Sequence, residues 1–522
     1  MLAVLLSAGG ANAASVSVGT EHACAVLNDG KLMCWGSNTY GQLGIGSVGG
    51  SSTSPVNVNL GTGRTAKAVS CGNHHTCAIL DDDNLKCWGA NSKYQLGYND
   101  GTRRSAPEAA AVVNLGDNYA RKAKAVSCGI MTNEGYTCAI LDNDALKCWG
   151  SNRDYALGHG SLGYVYHKTA DWDGAINLGS GRTAKMVSAG GSGSYAYACA
   201  LLDDNTAKCW GNNNRGGFGS NAGSSVYSPT AVSLASGTTA TIISAGKGDQ
   251  TCAVVDNGVK CWGYNDKGQL GDGTKTRSNT PLNVDLGSGR TATDIAAGGY
   301  HSCAILDDGT VKCWGSNTYG SLGTGDRVFS TDNLPTAVAL PAGRTASSIS
   351  AGGGNTCAVM DDSSIWCWGY NINGQLGNGE DDQSYSASPT RVCFTADDCA
   401  APSGPPGPPG NDGSPGAAGA PGAVASGSNV TTVSGPPGPP GNDGSPGASG
   451  APGASSSSSS GNNTVYVYTY VNVSGPPGPA GPPGPGFDAY IDSEGNPVDA
   501  AVRRGASLPM LALSTVLYLL FY

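Results

Sequence analysis

Seven copies of one short segment, each ending in Cys-Trp-Gly, constrain the fold of this chain more than any other feature. The first copy runs from Cys24 to Asn38, and later copies repeat at a period of roughly fifty to sixty residues, which indicates a propeller or another repeat array. Turn residues such as Asn-Asp-Gly lie midway between two short apolar runs, a pattern typical of a β-hairpin. Each copy is therefore predicted to contain one hairpin.

Folding the first copy as a hairpin places its two cysteines opposite each other. Pairing of Leu27 with Lys31 across the turn closes the hairpin. Cys24 then faces Cys34, and directly opposed residues of antiparallel strands have Cα atoms about 4.5–5.5 Å apart, within reach of a disulfide. The first copy therefore predicts a disulfide inside the repeat.

The fifth copy tests this register, because it has one residue fewer between its cysteines. A two-residue turn at Asp256 and Asn257 pairs Val255 with Gly258 and again makes the two cysteines face each other. The spacing changes with the turn, and the pairing is kept. We predict seven disulfides, one within each repeat: Cys24–Cys34, Cys77–Cys87, Cys138–Cys148, Cys199–Cys209, Cys252–Cys261, Cys303–Cys313 and Cys357–Cys367.

Each repeat between about Ser15 and Ala400 divides into four short strands. An inner Val-Ser-x-Gly strand is followed by Cys-Ala-Ile-Leu, by Lys-Cys-Trp and by an outer strand typified by the sequence that ends at Leu60. Four antiparallel strands repeated seven times predict an all-β, seven-bladed β-propeller over residues 14–402, with a disulfide in each blade. The tryptophans that follow the second cysteines are expected to fill the interfaces between blades: Trp35, Trp88, Trp149, Trp210, Trp262, Trp314 and Trp368.

The repeat also carries a family resemblance. The pattern Ser-x-Gly, His-x-Cys-Ala, Asp-Gly, Cys-Trp-Gly-x-Asn-x-x-Gly-Gln-Leu-Gly resembles the regulator of chromosome condensation repeat family. The resemblance implies a seven-bladed propeller but no single activity, because that family includes a guanine-nucleotide exchange factor, a plant UV-B photoreceptor and a secreted β-lactamase inhibitor. A disulfide in every blade departs from the nuclear members and looks more like secreted propellers.

The cysteine content and net charge of the chain indicate its cellular compartment and its class of partner. The 522 residues carry 18 cysteines and a net charge of −10. Paired cysteines in this number imply an oxidising compartment, and the acidic balance argues against nucleic acid as a partner. Residues 1–13 resemble a secretory signal peptide with Ala11-Asn12-Ala13 as its cleavage site.

Four cysteines lie outside the hairpins. Cys393 and Cys399 are predicted to form a local disulfide after the last blade. Cys71 and Cys128 hold the same position in adjacent inner strands, where they either bridge two blades or remain buried thiols; we favour thiols, because the spacing between blades near the axis tends to exceed disulfide reach.

Strand direction assigns the loops to two faces. The hairpin turns are rich in aspartate, which suggests either a site for calcium or a basic partner, or ordinary solvated turns. The links between blades end on the same face and carry arginines, so we favour neutralised turns. The arginines are Arg64, Arg121, Arg182, Arg290 and Arg344.

The opposite face varies between copies and is rich in tyrosine, which favours a binding surface. Histidines at matching positions also fit a structural hydrogen-bonding role, and no metal site is predicted. The candidate binding residues are His22, Tyr40, His74, His75, Tyr94, Tyr136, Tyr155, Tyr197, Tyr300, His301 and Tyr319, together with Tyr195, Arg215, Gln250 and Lys267.

Residues 403–486 change to Gly-X-Y triplets with serine-rich and Val/Tyr interruptions, which is the collagen pattern. The segment predicts either a triple helix, and hence a homotrimer, or a single-chain polyproline II stalk. Glycosylation sites are predicted at Asn429, Asn462 and Asn472.

Residues 487–507 form a spacer before the apolar end of the chain, residues 508–522. Small residues before a short spacer and an apolar tail resemble a glycolipid (GPI) anchor signal, with a short membrane tail as the alternative. The candidate anchor positions are Asp499, Gly505 and Ser507.

These features predict a non-enzymatic recognition or adhesion protein at the cell surface, which binds a protein or a glycan through one propeller face. A guanine-nucleotide exchange factor or GTPase regulator, as the family resemblance suggests, is the first alternative. A structural matrix or wall component is the second. No nucleophile–base pair or phosphate loop stands out, so neither catalytic residues nor cofactors are predicted.

Overall fold

A computed structural model describes residues 15–107, 109–131, 134–160, 174–193, 195–328, 333–380 and 384–395. The chain divides into two units, residues 1–408 and 409–522, and every described residue belongs to the first. Among the described residues, no helix has the length and apolar character needed to cross a membrane. The predictions for the signal peptide, the collagen-like segment, the glycosylation sites, the spacer and the anchor lie outside the described residues.

The described chain forms seven antiparallel sheets, which are the seven blades in sequence order. Each sheet uses consecutive strands only, so the first blade is built wholly from the start of the described chain. Blade 1 contains β1 (Ser15–Val18), β2 (His22–Val26), β3 (Leu32–Ser37) and β4 (Ser51–Asn57); blade 2 contains β5 (Ala66–Cys71), β6 (His75–Leu80) and β7 (Leu85–Gly89); blade 3 contains β8 (Ala123–Met131), β9 (Glu134–Leu141) and β10 (Leu146–Gly150).

The later blades repeat this order, and a 3-10 turn at Arg153–Tyr155 precedes them. Blade 4 contains β11 (Ala184–Ser192), β12 (Tyr195–Leu202), β13 (Ala207–Asn212) and β14 (Ser225–Ala231); blade 5 contains β15 (Ala240–Ala245), β16 (Gln250–Val255), β17 (Gly258–Gly263) and β18 (Ser278–Val284). Blade 6 contains β19 (Ala292–Ala297), β20 (His301–Leu306), β21 (Val311–Gly315) and β22 (Thr336–Ala337); blade 7 contains β23 (Ala346–Ala351), β24 (Asn355–Met360), β25 (Ile365–Tyr370) and β26 (Tyr385–Arg391).

The prediction of four strands in every blade holds for five blades, while the described parts of blades 2 and 3 show three strands each. In blade 2 the Tyr98 hydroxyl lies against the edge of β7, where it accepts the Cys87 N–H at 3.3 Å and donates to Ala111 O at 2.9 Å. The Tyr98 hydroxyl thereby forms hydrogen bonds with backbone groups of β7 that would otherwise pair with a fourth strand. In blade 3, His159 takes the matching position, 3.1 Å from Cys148 O, and residues 161–173 lie outside the described chain.

The predicted hairpin register is confirmed. Cys24 pairs with Cys34, and in the short fifth copy Val255 pairs with Gly258. All seven predicted disulfides form within the blades, with Cα atoms 4.0–4.1 Å apart.

The cysteines outside the hairpins divide into two cases. Cys71 and Cys128 are buried free thiols, as predicted. Cys393 is disulfide-bonded, and its predicted partner Cys399 lies outside the described residues.

The seven tryptophans fill the blade interfaces, as predicted, and all are fully buried. Each indole Nε1–H donates to a backbone carbonyl in the long loop of the preceding blade, over 2.8–3.2 Å. The bond from Trp35 to Gln375 O joins blade 1 to blade 7 and closes the ring with the same contact used elsewhere.

The spacing that recurs in the long loop of each copy has a direct physical cause. Asn38 Oδ1 accepts the N–H of Leu43, and the equivalent asparagine makes the same bond in all seven blades. Gly44 has φ +71°, and a Cβ there would lie 2.6 Å from Nε1 of Trp88. The Asn-x-x-Gly-Gln-Leu-Gly sequence therefore shapes a rigid loop that receives the neighbouring indole.

A second set of contacts between neighbouring blades, here called the seam, lies nearer the propeller axis. Inner-strand serines accept a backbone N–H from the next blade, as Ser17 does from Cys71 at 3.0 Å. Blade 6 has Ala296 at this position, and the buried Asp294 carboxylate accepts the N–H of Ile349 at 3.1 Å instead. Burial raises the pKa of Asp294 to about 7.

We predict that Trp262→Phe lowers the free energy of unfolding by about 2–3 kcal/mol, because it removes one of the two hydrogen bonds that Gly217 O accepts and leaves a void in the interface. Trp366→Phe is the control, since the Trp366 indole donates to Ser364 of its own hairpin and to no other described residue. Urea unfolding of the oxidised proteins measures both. Equal losses in the two variants would contradict a special role for the interface indole.

We predict that Asp294→Asn removes a pH dependence of stability. The pKa of about 7 lies above the ordinary 3.8, so Asp294 contributes stability below pH 4 that is lost as the pH rises through 7. That difference corresponds to roughly 4 kcal/mol at about 1.4 kcal/mol per pKa unit. Urea unfolding between pH 4 and pH 8 should show a flatter profile for Asp294→Asn, whereas the exposed Asp285→Asn should follow the parent protein.

Candidate recognition face

The hairpin turns and the links between blades form one face of the propeller, here called the turn face. Its aspartates are paired with arginines from the links, as predicted: Arg64 Nε lies 3.1 Å from Asp81, and Arg290 Nε lies 3.1 Å from Asp307. The same pairing joins Arg121 to Asp142, Arg182 to Asp203 and Arg344 to Asp361. The acidic turns are therefore largely neutralised within the protein.

A cavity of about 280 Å³ opens on the turn face between blades 2 and 3. Its floor is apolar and includes Ala68 and Ile79. Each of its three lysines already has a polar partner: Lys67 pairs with Asp83 at 2.7 Å, Lys122 with Asn84 at 2.6 Å and Lys124 with Asp144 at 2.6 Å. The cavity thus offers little charge for a ligand.

The opposite face, here called the loop face, consists of the turns after the inner strands and the long loops. Six of its predicted binding residues, counting Gln250, are fully buried, which corrects the prediction that they line a surface. They stand near the start of the second strand of a blade and point into the seam with the next blade. Their bonds join His22 to Thr76, His75 to Thr137, His301 to Thr356, Tyr136 to Gly190 and Tyr197 to Gln250.

Burial also fixes the charge of these histidines. It lowers the pKa of His75 to about 3 and that of His301 to about 4, and it holds the pKa of His22 well below 6.5. All three rings are neutral at pH 7, which suits the structural role that their matching positions also suggested.

Aromatic side chains remain accessible on the loop face. Tyr300 is 45% exposed, with Tyr264 at 6.5 Å between ring centres, and Tyr319 is 44% exposed, with Tyr370 at 4.7 Å. Half-buried Tyr40 stacks on His74 at 4.4 Å. Paired rings of this kind present flat apolar surfaces that lose little conformational entropy on binding.

The remaining predicted tyrosines are half-buried. Tyr155 packs edge-to-face on Tyr227 at 4.3 Å, between the blade 3 loop and the outer strand of blade 4. Tyr94 has φ +61°, in the left-handed region of its loop. Both contribute less open surface than Tyr300 and Tyr319.

Arg215 lies at the centre of an aromatic cluster in blades 4 and 5. Its guanidinium carbon is 4.1 Å from the ring centre of Tyr264 and 5.5 Å from that of Tyr195. Its Nη1 lies 3.4 Å from the Asp249 carboxylate, which also accepts a hydrogen bond from Ser192. The ring contacts and the ion pair hold the guanidinium in one orientation at the surface.

Carboxylates line the inner edge of this cluster. Burial raises the pKa of Asp249 to about 6 and raises that of Asp154 as well, and each is raised further by a neighbouring carboxylate. Asp154 Oδ2 is buried without a hydrogen-bond partner among the described residues. Glu134 is paired with Lys93 at 3.3 Å and accepts the Ser151 hydroxyl at 2.6 Å.

Sequence reasoning missed Tyr264, Tyr370 and Asp249. The two tyrosines follow Cys-Trp-Gly directly, where the other copies have Ser, Ala or Asn, and this substitution was the available signal. No other copy has aspartate at the turn position of Asp249, so the repeat pattern could not identify it.

Two groups of histidine and cysteine come together in the described seams, His22 with Cys24 and Cys71, and His75 with Cys77 and Cys128. One cysteine of each group is disulfide-bonded. Each group keeps one thiol and one imidazole, fewer ligands than a structural zinc site needs.

Comparison with known proteins identifies the repeats. The pattern described as "Regulator of chromosome condensation (RCC1) repeat" matches residues 13–42, 66–95, 292–321 and 346–375 in one form and residues 29–79, 256–305, 308–359 and 362–400 in another. Residues 13–95 and 256–400 therefore carry RCC1 repeats. The described chain forms the seven-bladed propeller that the resemblance implied.

Proteins with different names are similar in sequence to this chain. The chain is 25% identical over 368 residues to the Ultraviolet-B receptor UVR8 of Arabidopsis thaliana, covering 70% of this chain and 78% of that protein. It is 24% identical over 372 residues to the E3 ubiquitin-protein ligase HERC2 of Homo sapiens, covering 70% of this chain and 6% of that protein.

Solved structures support the fold. Prp20p from Saccharomyces cerevisiae, a protein described with its binding properties to Gsp1p and histones, matches with a TM-score of 0.59 and 21% identity over 73% of this chain and 87% of its own. Human WBSCR16 matches with a TM-score of 0.54 and 19% identity over 65% and 84%. At these identities the likeness shows the propeller fold alone.

We predict that Arg215→Gln raises the pKa of Asp249 above about 6, because the variant removes the cation 3.4 Å from the carboxylate. NMR titration of ¹³C-labelled aspartate carboxyls measures the shift, and Asp249→Asn assigns the resonance. Arg290→Gln, on the turn face, should leave it unchanged. An Asp249 pKa that does not move in Arg215→Gln would show that the ion pair does not form in solution.

Proposed function

We propose that this chain is a non-enzymatic extracellular recognition protein whose loop face binds a protein or a glycan. The observation that carries the proposal is the set of accessible aromatic rings and the oriented guanidinium of Arg215 on that face. Tyrosine and arginine dominate the energetics of recognition surfaces. The turn face offers no comparable set among the described residues, because its charges are paired internally.

The scaffold suits recognition. Identical asparagine bonds hold the long loops of all seven blades in one shape, while the exposed residues on them differ from blade to blade. Loops fixed before binding lose less entropy when a ligand docks. The face therefore combines rigid support with variable chemistry.

The disulfides support an extracellular location, because cystines persist in oxidising compartments. We propose that residues 403–486 hold the propeller away from the cell, as a trimeric or a single-chain stalk. The C-terminal segment would attach the protein to the membrane through a lipid anchor or a short tail.

The two alternative functions, nucleotide exchange and a structural matrix role, predict different experimental results. A guanine-nucleotide exchange factor would release nucleotide from a small GTPase, a reaction that requires the propeller to work in the reducing cytosol or nucleus. A matrix component would assemble with itself and bind no discrete ligand.

We predict that the intact protein binds one class of ligand on arrays of glycans and cell-surface proteins, and that Tyr300→Ala with Tyr319→Ala weakens binding at least tenfold. Two hot-spot tyrosines each contribute about 1–2 kcal/mol, and 1.4 kcal/mol is a factor of ten. Tyr119→Ala is the matched control, since Tyr119 is 52% exposed in a link on the turn face.

Equal binding by the double variant and the parent protein would contradict the proposal that the loop face binds the ligand. Stimulated nucleotide release from a small GTPase, with no ligand on either array, would favour the exchange-factor alternative.

A further inference from the structure

The two free thiols occupy one structural position, the inner-strand residue that faces the seam with the preceding blade. In the other five blades the position holds Val18, Ala189, Ala245, Ala297 or Ala351. Cysteine appears there only in blades 2 and 3, so the thiols mark two adjacent seams. Ser17 and Ser70 hold these seams by accepting the N–H groups of Cys71 and Cys128, each at 3.0 Å.

Each thiol lies beside a disulfide of the preceding blade. The Sγ of Cys71 is within 4.8 Å of the Sγ of Cys24, which is bonded to Cys34. The Sγ of Cys128 is likewise within 4.8 Å of the Sγ of Cys77. Three sulfurs therefore meet at each seam, as an attacking thiol and a disulfide require.

An imidazole completes both groups. A ring nitrogen of His22 lies within 4.8 Å of both sulfurs at the first seam, and His75 does so at the second. Nδ1 of each ring is buried without a hydrogen-bond partner among the described residues. Histidine and cysteine occur together at these two seams, whereas His301 of blade 6 faces a seam with Ala351.

We propose that Cys71 and Cys128 are the attacking thiols of two built-in thiol–disulfide exchange sites, which transfer a disulfide from within a blade to the seam between blades. The products are the disulfides Cys24–Cys71 and Cys77–Cys128. Each exchange ties one blade covalently to the next, so together they link blades 1, 2 and 3.

The exchange step needs no oxidant or reductant. The Cys71 thiol gives its proton to the neutral His22 imidazole, and the thiolate attacks Sγ of Cys24. The Cys24–Cys34 bond breaks as the Cys24–Cys71 bond forms, and Cys34 leaves as a thiolate that takes the proton back. One thiol and one disulfide are present before and after the step.

The surroundings keep the exchange slow in the resting protein. Burial raises the pKa of both thiols to about 12, so the reactive thiolate is scarce. Hydrogen bonds with Ser17 and Ser70 oppose this rise in pKa most strongly. Lys247, a buried side chain that donates to Val18 O across the ring, also favours both thiolates by its charge. The titratable groups around these two sulfurs are His22, His74, His75, Lys247 and the thiols themselves, because each thiolate disfavours the other.

The test incubates the intact protein at pH 8.5 without redox reagents, followed by acid quenching, peptic digestion and mass spectrometry of unreduced peptides. We expect Cys24–Cys71 and Cys77–Cys128 peptides to accumulate with time, independently of protein concentration, while Cys34 and Cys87 become free. Cys199–Cys209 is the internal control, because Ala245 stands at its seam. Persistence of the hairpin disulfides alone would overturn the proposal, and so would scrambling that includes Cys199.

Variants separate the thiol from the imidazole. Cys71→Ala should abolish Cys24–Cys71 and leave Cys77–Cys128, and it should fold, because alanine fills the same position in four other blades. His22→Gln should slow formation of Cys24–Cys71 at least tenfold while leaving the second seam unchanged. An unchanged rate in His22→Gln would overturn the assignment of the imidazole as proton acceptor.

Discussion

The contact between an indole and the loop of the neighbouring blade is the interaction on which the whole propeller depends. A single blade has too little apolar surface to be stable alone, so it must stack on its neighbours. The tryptophan supplies the largest buried side chain in each interface, and its Nε1–H also donates to a carbonyl in the long loop of the preceding blade. Because Trp35 makes this bond to Gln375, the ring closes without sharing a blade between the two ends of the propeller.

The disulfides serve a different purpose from the indoles. Each disulfide joins the two strands of one hairpin, so the disulfides stabilise a blade but do not connect one blade to the next. Side chains form much of each blade interface, with tryptophan toward the outside and serine toward the axis, and backbone bonds such as that from the Gly299 N–H to Gly352 O also join neighbouring blades. Blade 6 shows that the inner bond can change its acceptor, since the Asp294 carboxylate replaces the serine hydroxyl at the cost of a buried carboxyl group.

Much of this architecture could be predicted from the repeats, because local pairing rules fix it. The hairpin register, the seven cystines, the buried tryptophans and the arginine–aspartate turns all follow from spacing within a copy or between adjacent copies. The prediction failed where the side of a strand matters: His22 and Tyr197 looked like loop residues, but they stand close to the start of a strand and face the next blade. The edge contact of Tyr98 was likewise invisible, since it depends on a fold-back of the loop.

A uniform scaffold with one variable face is the arrangement that the recognition proposal requires, and its extracellular setting is the central claim. Disulfide mapping of protein isolated from its natural source, alkylated at the moment of lysis, tests that setting most directly. The account predicts intact Cys138–Cys148, Cys199–Cys209, Cys252–Cys261, Cys303–Cys313 and Cys357–Cys367, the five cystines that face no free thiol of the following blade. Alkylated, unpaired cysteines at these ten positions would place the propeller in a reducing compartment and contradict the account.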